Sequence, residues 1–233
     1  MTDYHRPRTL AEALDLAAVG GLTLAAGCTD LLPATQGPGL RGPVLDLTGI
    51  ASLRGIAEGP GGWRIGALTT WAEVAAAPLP PAFDGLRAAA REVGSVQIQE
   101  AGTVGGNLCN ASPAADGVPC LMTLDAGVEL ASAAGTRQLP LAEFLTGPRR
   151  TALRPGEILT AIHVPQAAGG GQGAFFKLGA RRYLVISIVM AAVRIAVGGG
   201  RVTRAALSVG AASPVAVRLP ALEAALADVP LAE

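Results

Sequence analysis

Two adjacent glycines, Gly105 and Gly106, lie in residues 102–116, which read GTVGGNLCNASPAAD. Glycine permits backbone conformations closed to other residues, and it lets main-chain N–H groups approach a bulky ligand without a Cβ in the way. Ser112 before Pro113 predicts a helix N-cap with proline in the first turn, and the apolar run 118–124 gives that helix a buried face. Because a helix start beside a glycine loop attracts anions, the segment predicts a cradle for a phosphate-bearing cofactor.

The cradle has no cation of its own. No lysine or arginine lies within residues 102–125, so a phosphate held there must rely on backbone dipoles and on the side chains of Thr103, Asn107 and Ser112. The glycine pair alone is more typical of a turn that joins two elements. The pattern is neither the dinucleotide fingerprint GxGxxG nor a Walker loop.

Composition excludes several classes of protein. The chain has 233 residues, half of them hydrophobic, and a formal net charge of zero, so we expect a globular protein without nucleic acid as a partner. The first eight residues are polar rather than an apolar leader, which predicts a cytoplasmic location. The longest apolar run, 184–193, is too short to span a bilayer and is predicted to be buried core.

The reactive side chains are sparse and scattered. Cys28, Cys109 and Cys120 show no CxxC spacing, so we predict no metal or iron–sulfur site and expect reduced, mostly packed cysteines. The two histidines, His5 and His163, lie in separate regions, and the chain has no GxSxG nucleophile elbow. A hydrolase is therefore disfavoured.

Alternating helical and extended patterns predict an α+β fold. Thr9 and Glu12 form a capping box before a helix, and the apolar run 22–26 predicts a buried strand that opens into residues 27–33. Further strands are predicted at 44–47, 63–67, 128–131, near 139 and at 158–165, with helices after Thr70, through 81–93, from Ser112 to about 125 and at 141–145.

A glycine-rich stretch at 169–173 predicts a hinge, and hence a division into domains 1–168 and 174–233. Beyond it, apolar runs at 185–197 and 202–209 flank glycines 198–200 and predict a hairpin. A helix is predicted at 220–227.

The string at 103–116 resembles the second flavin motif of the FAD-binding subunit of molybdenum hydroxylases, the family of xanthine dehydrogenase and aerobic carbon monoxide dehydrogenase. Residues 25–33, AAGCTDLLP, resemble the family's first flavin motif, in which Cys28 replaces the second glycine. The likeness continues at 147–165 and 175–182. It implies a two-lobed FAD-binding domain of the vanillyl-alcohol oxidase type, followed by a small α+β C-terminal domain that is abbreviated here.

The resemblance also implies which residues bind the cofactor. Asp116 would accept a hydrogen bond from the ribose or adenosine side, and Lys177 would lie beside the flavin ring and tune it. Lys177 is the only lysine among 18 basic residues, and the alternative is a surface lysine that packs over two phenylalanines. The implied contacts are Ala25, Ala26, Gly27, Cys28, Thr29, Asp30, Leu31, Leu32, Thr103, Val104, Gly105, Gly106, Asn107, Asp116, Leu159 and Lys177.

By the same resemblance the chain is an oxidoreductase subunit that carries FAD and transfers electrons. It would receive them from [2Fe-2S] clusters on a small partner subunit, fed by molybdopterin on a large one, and pass them to NAD, oxygen or a quinone. We expect non-covalent FAD, because neither histidine lies in a glycine segment, although Cys109 is close to one. The alternatives are a stand-alone flavin oxidase and a scaffold subunit whose flavin site has decayed.

Overall fold

A computed structural model describes residues 3–35 and 39–230. The first unit is a three-stranded parallel sheet with the order β1 (Tyr4–His5), β3 (Val44–Asp46), β2 (Thr23–Ala25). Helix α1 (Leu10–Val19) precedes β2 and packs on the sheet through Ala13 and Ala17. The predicted capping box is present, since Glu12 N donates to Thr9 Oγ1 at 3.3 Å and Thr9 N donates to Glu12 Oε2 at 3.1 Å.

The second unit is a five-stranded antiparallel sheet. Its strand order is β4 (Ile56–Gly59), β5 (Gly62–Gly66), β10 (Ile158–Pro165), β6 (Gly127–Ser132), β7 (Gly135–Pro140). Six helices join these strands: α2 (Trp71–Ala76), α3 (Asp84–Glu92), α4 (Val96–Ala101), α5 (Val104–Asn110), α6 (Gly117–Thr123) and α7 (Leu141–Phe144). A two-stranded ribbon of β8 (Leu145–Gly147) and β9 (Arg150–Thr151) leads back to β10.

The third unit is a four-stranded antiparallel sheet with the order β11 (Gln172–Leu178), β12 (Val189–Gly198), β13 (Arg201–Gly210), β14 (Val217–Arg218). Helix α8 (Pro220–Leu226) follows. The predicted hairpin is therefore confirmed, but β12 begins at Val189 and not at residue 185. Residues 184–188 form a connection in which Ile186 is 79% exposed, so the prediction of buried core is wrong for this part of the apolar run. Leu184 has φ +51, and this left-handed turn leads the chain out of the sheet.

Three glycines of the stretch 169–173, where a hinge is predicted, are closely packed. A Cβ on Gly171 would lie 2.4 Å from the carbonyl oxygen of Ile195, and one on Gly173 would lie 2.4 Å from that of Ala82. These glycines allow close backbone contact between β11 and its neighbours, because a side chain at either position would collide with them.

One hydrophobic core runs through the second and third units. It extends from β5 across α2, α3, α5 and α6 to β6 and β10, and it includes Ala192 of β12. Trp63 and Phe83 meet edge to face in this core, with ring centroids 5.0 Å apart. Over the described residues, every helix is too short or too polar to cross a bilayer.

Candidate cofactor site

A cavity of about 1240 Å³ opens between the three units. Both glycine-containing segments line it, and so do residues 153–159, Lys177 and residues 184–186. Most of the predicted contacts share this cavity: Ala25, Ala26, Gly27, Cys28, Thr29, Asp30, Leu31, Thr103, Gly105, Gly106, Asn107, Asp116, Leu159 and Lys177. Leu32 lines a smaller neighbouring cavity, and Val104 is fully buried in the core.

The glycine pair lies inside a helix and not in a loop, so the expected special backbone conformations are absent there. Thr103 caps α5 by accepting a hydrogen bond from Gly106 N at 3.0 Å. A Cβ on Gly105 would lie 2.7 Å from both the Cβ and the carbonyl oxygen of Ala67, whereas one on Gly106 would meet only Thr103 Oγ1 at 2.8 Å. Gly105 thus permits close packing of α5 against Ala67 within the second unit, and Gly106 presents bare backbone to the cavity.

The first motif does contain a left-handed residue. Cys28 has φ +56, the region that favours glycine, which gives a physical reason for the glycine that the resembled motif has at this position. Its neighbour Gly27 touches the backbone that leads into the second motif, because a Cβ there would lie 1.9 Å from the carbonyl oxygen of Ala101 and 3.0 Å from Gly102 Cα. The fold therefore brings the first motif against the residues directly before the second.

The predicted N-cap at Ser112 is wrong. Helix α6 begins at Gly117 after Asp116, and Ser112 Oγ accepts a hydrogen bond from Ala114 N at 3.3 Å within a turn. Gly117 packs on Trp71, since a Cβ there would lie 2.2 Å from the indole. This tertiary contact fixes where the helix starts, and local capping chemistry does not.

Asp116 and Lys177 form a buried ion pair. Lys177 Nζ donates to Asp116 Oδ2 at 2.6 Å and to the carbonyl oxygen of Glu92 at 3.3 Å, and Ser187 Oγ donates to Asp116 Oδ1 at 2.6 Å. The side chains of Lys177 and Asp116 are only 9% and 7% exposed, so the surface-lysine alternative is wrong. Sequence analysis missed Ser187, because nothing in its local pattern marks a partner 71 residues away.

This ion pair changes how the implied contacts fit together. The resemblance assigned Asp116 to the adenosine side of the cofactor and Lys177 to the ring. The structure shows the two side chains in direct contact, with one hydrogen bond accepted by each Asp116 oxygen, and the carboxylate keeps further acceptor capacity.

Two arginines line the cavity, one from the turn between β8 and β9 and one from the loop between β9 and β10. Arg149 and Arg154 both line it, although the segment 102–125 has no cation. Arg149 has φ +56, its N–H donates to the carbonyl oxygen of Ala111 at 2.8 Å, and its guanidinium binds the side chain of Asn110. A phosphate in this cavity therefore need not rely on backbone and hydroxyl groups alone, which corrects the expectation from sequence.

The cavity wall contains an unpaired polar atom. Asn107 Oδ1 is buried and has no hydrogen-bond partner among the residues that the structure describes. Such an atom costs about 1–3 kcal/mol unless a donor reaches it, and Asn107 is one of the residues that line the cavity. A ligand with hydroxyl or N–H donors fits this requirement, and the cavity is large enough for a dinucleotide. Residues 3–35 and 39–230 contain no cluster of His, Cys, Asp or Glu suited to a metal ion.

The three cysteines are free thiols. The side chain of Cys109 opens onto the cavity, yet desolvation by the surrounding protein raises the pKa of its thiol to about 12. Cys120 is buried, and its Sγ donates to the carbonyl oxygen of Gly85 at 3.3 Å.

Comparison with known families shows which family the chain belongs to. A family model described as the FAD binding domain in molybdopterin dehydrogenase matches residues 1–167, the part that carries both motifs. The chain belongs to this family. A second family model, the CO dehydrogenase flavoprotein C-terminal domain, matches residues 174–233. The resemblance noted from the two motifs is confirmed, as is an α+β FAD-binding domain followed by a small C-terminal domain.

Relatives within the molybdopterin dehydrogenases cover almost the whole chain. A putative xanthine dehydrogenase FAD-binding subunit of Escherichia coli is 34% identical over 98% of this chain and 80% of the relative. The carbon monoxide dehydrogenase medium chain of Afipia carboxidovorans is 33% identical over 88% of this chain and 72% of the relative. The chain is thus similar to oxidoreductase subunits of this family throughout its length.

Solved structures show the same fold. Carbon monoxide dehydrogenase from Hydrogenophaga pseudoflava, in a form that lacks the Mo-pyranopterin moiety of the molybdenum cofactor, matches with a TM-score of 0.90 and 29% identity. The match covers 100% of this chain and 82% of that one. Quinoline 2-oxidoreductase from Pseudomonas putida matches with a TM-score of 0.89 and 25% identity, over 100% and 81% of the two chains.

Proposed function

We propose that the chain binds FAD non-covalently in the cavity between its three units and serves as the electron-transfer subunit of a molybdenum hydroxylase complex. The observation that carries the proposal is the cavity wall, where two motifs distant in sequence meet and present bare glycine backbone beside the unpaired Asn107 Oδ1. Residues 1–168 are the proposed FAD-binding domain and residues 174–233 the C-terminal domain.

The chain's own residues suggest how FAD is held. Gly106 lets the cofactor approach the main chain, and Asn107 Oδ1 accepts a hydrogen bond from it. Arg149 and Arg154 provide positive charge for its diphosphate. The remaining contacts are the residues of the cavity lining named above.

We place Lys177 and Asp116 together at the flavin ring. The ion pair fixes the ammonium group, because Asp116 and the carbonyl oxygen of Glu92 hold it from two sides. Bound FAD supplies a group that takes up two electrons and releases them to an acceptor. A fixed cation and its counter-charge set the local electrostatic potential, which is a main way in which a protein tunes a flavin.

The partners and the acceptor follow from the proposed role. The chain would receive electrons from [2Fe-2S] clusters on a small subunit, and a large molybdopterin subunit would carry the substrate site. NAD, oxygen or a quinone would take the electrons away, in the cytoplasm. Several similar proteins are named as medium chains or FAD-binding subunits of dehydrogenases, which supports a multi-subunit assembly.

Purification of the tagged full chain from its native source tests the proposal. We expect two further, different chains to co-purify, with one FAD released per copy of this chain, and electrons from the complex's substrate to reduce that FAD. A monomer that oxidises an organic substrate by itself would favour the flavin-oxidase alternative. A folded, colourless complex would favour the scaffold alternative.

A further inference from the structure

Three arginines from three consecutive strands converge on one carboxylate just beyond helix α6. Arg194 of β12 and Arg204 of β13 donate to Asp125 Oδ2 at 3.2 and 2.8 Å, and Arg218 of β14 donates to Oδ1 at 2.7 Å. Glu223 of α8 binds Arg218 in a bidentate pair at 2.6 and 2.8 Å. Each strand of the C-terminal sheet except β11 is thereby tied to the FAD-binding domain at Asp125.

The same arginines bind the C-terminal end of α6. Arg194 Nε donates to the carbonyl oxygen of Thr123 at 2.8 Å, and Arg218 Nη1 donates to that of Met122 at 2.9 Å. Cations are favourable at a helix C-terminus, where carbonyl groups lack partners within the helix. Arg194 is 1% exposed, and burial lowers the pKa of its guanidinium. A buried guanidinium needs a counter-charge, which Asp125 supplies.

The opposite end of α6 carries the cavity's ion pair. Asp116 directly precedes the helix and binds Lys177 of β11 and Ser187 of the connection between β11 and β12. Seven helical residues, about 10 Å at 1.5 Å per residue, separate the two anchor points. The C-terminal sheet is therefore fastened to α6 at both ends, once in the cavity wall and once outside it.

We propose that Asp125 is a positioning residue for the FAD site. By fastening β12, β13 and β14 to the far end of α6, it sets where β11 and the connection after it lie relative to Asp116. Lys177 and Ser187 are thereby held in position to bind the Asp116 carboxylate. This inference rests on the proposed occupancy of the cavity by FAD.

Asp125→Asn tests the role of the charge. Asp125 has φ +52, which asparagine also tolerates, so the variant removes charge while keeping size and backbone conformation. We expect the Kd for FAD to rise about tenfold, within the usual range for coupled sites. In the apoprotein, the amides of Lys177 and Ser187 should exchange hydrogen faster. Asp228→Asn is the matched control, because the Arg201–Asp228 pair lies on the same sheet but is largely exposed, and it should change neither quantity.

Repeating the Asp125→Asn substitution in the Lys177→Met protein separates a positioning role from general destabilisation. If Asp125 acts through Lys177, Asp125→Asn shifts the flavin reduction potential in the wild type but not in Lys177→Met. An equal shift in both backgrounds, or unchanged FAD affinity and exchange in Asp125→Asn, would overturn the proposal. Should Asp125→Asn not fold, Arg204→Gln removes the half-exposed arginine of the cluster and must produce the same changes in smaller measure.

The same experiments distinguish a failure of the positioning role of Asp125 from a failure of the proposed FAD binding. If Lys177→Met alone leaves the potential unchanged, Lys177 does not tune the flavin, and FAD affinity with amide exchange decides the role of Asp125. If no variant and no wild-type preparation binds FAD, the proposed function fails. Exchange at Lys177 and Ser187 in the apoprotein then decides whether Asp125 positions them.

Discussion

Removing either partner of the Asp116–Lys177 ion pair should lower the free energy of unfolding of the apoprotein. Lys177 Nζ and Asp116 Oδ2 lie 2.6 Å apart. The two side chains are only 9% and 7% exposed, so water screens the pair weakly. Removal of one member of a buried pair costs about 3–5 kcal/mol, because it leaves the other charge buried and uncompensated. Ser187 Oγ still binds Asp116 after Lys177→Met, and the carbonyl oxygen of Glu92 still binds Lys177 after Asp116→Asn, so we expect about 3 kcal/mol for each single variant.

The double variant should recover most of that loss. Methionine and asparagine leave no uncompensated charge, so we expect Lys177→Met/Asp116→Asn to lie within about 1–2 kcal/mol of wild type. The coupling free energy of the cycle would then be roughly 4 kcal/mol, a large share of the ~5–15 kcal/mol that holds a domain folded. Urea unfolding of the four apoproteins measures it.

The same cycle on an exposed pair is the control. Arg201 and Asp228 are 48% and 80% exposed, so their cycle should show no measurable coupling. If the effects of Lys177→Met and Asp116→Asn on the free energy of unfolding add, with no recovery in the double variant, the argument that each buried charge is compensated by the other is refuted.

Three further outcomes follow from the cavity. In spectroelectrochemical titration, Lys177→Met should lower the flavin potential and Asp116→Asn should raise it, each on the order of 30 mV, because each variant removes one charge of known sign and 30 mV corresponds to about 1.4 kcal/mol. Equal potentials in all three proteins would contradict this. Gly106→Val should abolish FAD binding in a folded protein, as measured by fluorescence titration, whereas Gly105→Val should lower the melting temperature through its contact with Ala67. Stoichiometric FAD on folded Gly106→Val would contradict a role for Gly106 in FAD binding. Acid precipitation should leave a colourless pellet and a yellow supernatant, and a yellow pellet would mean covalent FAD.

Several elements could be predicted from the sequence because their causes are local. The capping boxes at Thr9 and Thr70 define helix starts within three residues, and both are present. Glycines 198–200 close the predicted hairpin of β12 and β13. The two flavin motifs were sufficient to indicate the family that the comparisons then confirmed. In each case, neighbouring residues fix the conformation or carry a long, specific pattern.

The start of α6 and the helical setting of the glycine pair could not be read from local sequence. Ser112 before Pro113 is a good N-cap, but Gly117 packs against Trp71 and the helix begins there. Gly105 lies in a helix because Thr103 caps it and because its Cα faces Ala67 across the core. Competing local signals were thus decided by tertiary packing.

The charged parts of the site depended entirely on the tertiary structure. The sequence determined that Lys177 is the only lysine and that residues 102–125 contain no cation. Only the fold places Lys177 against Asp116, adds Arg149 from a later loop, and gathers three arginines at Asp125. Ion pairs form between groups that packing brings within a few ångströms, and the separation of two residues along the chain does not encode that distance.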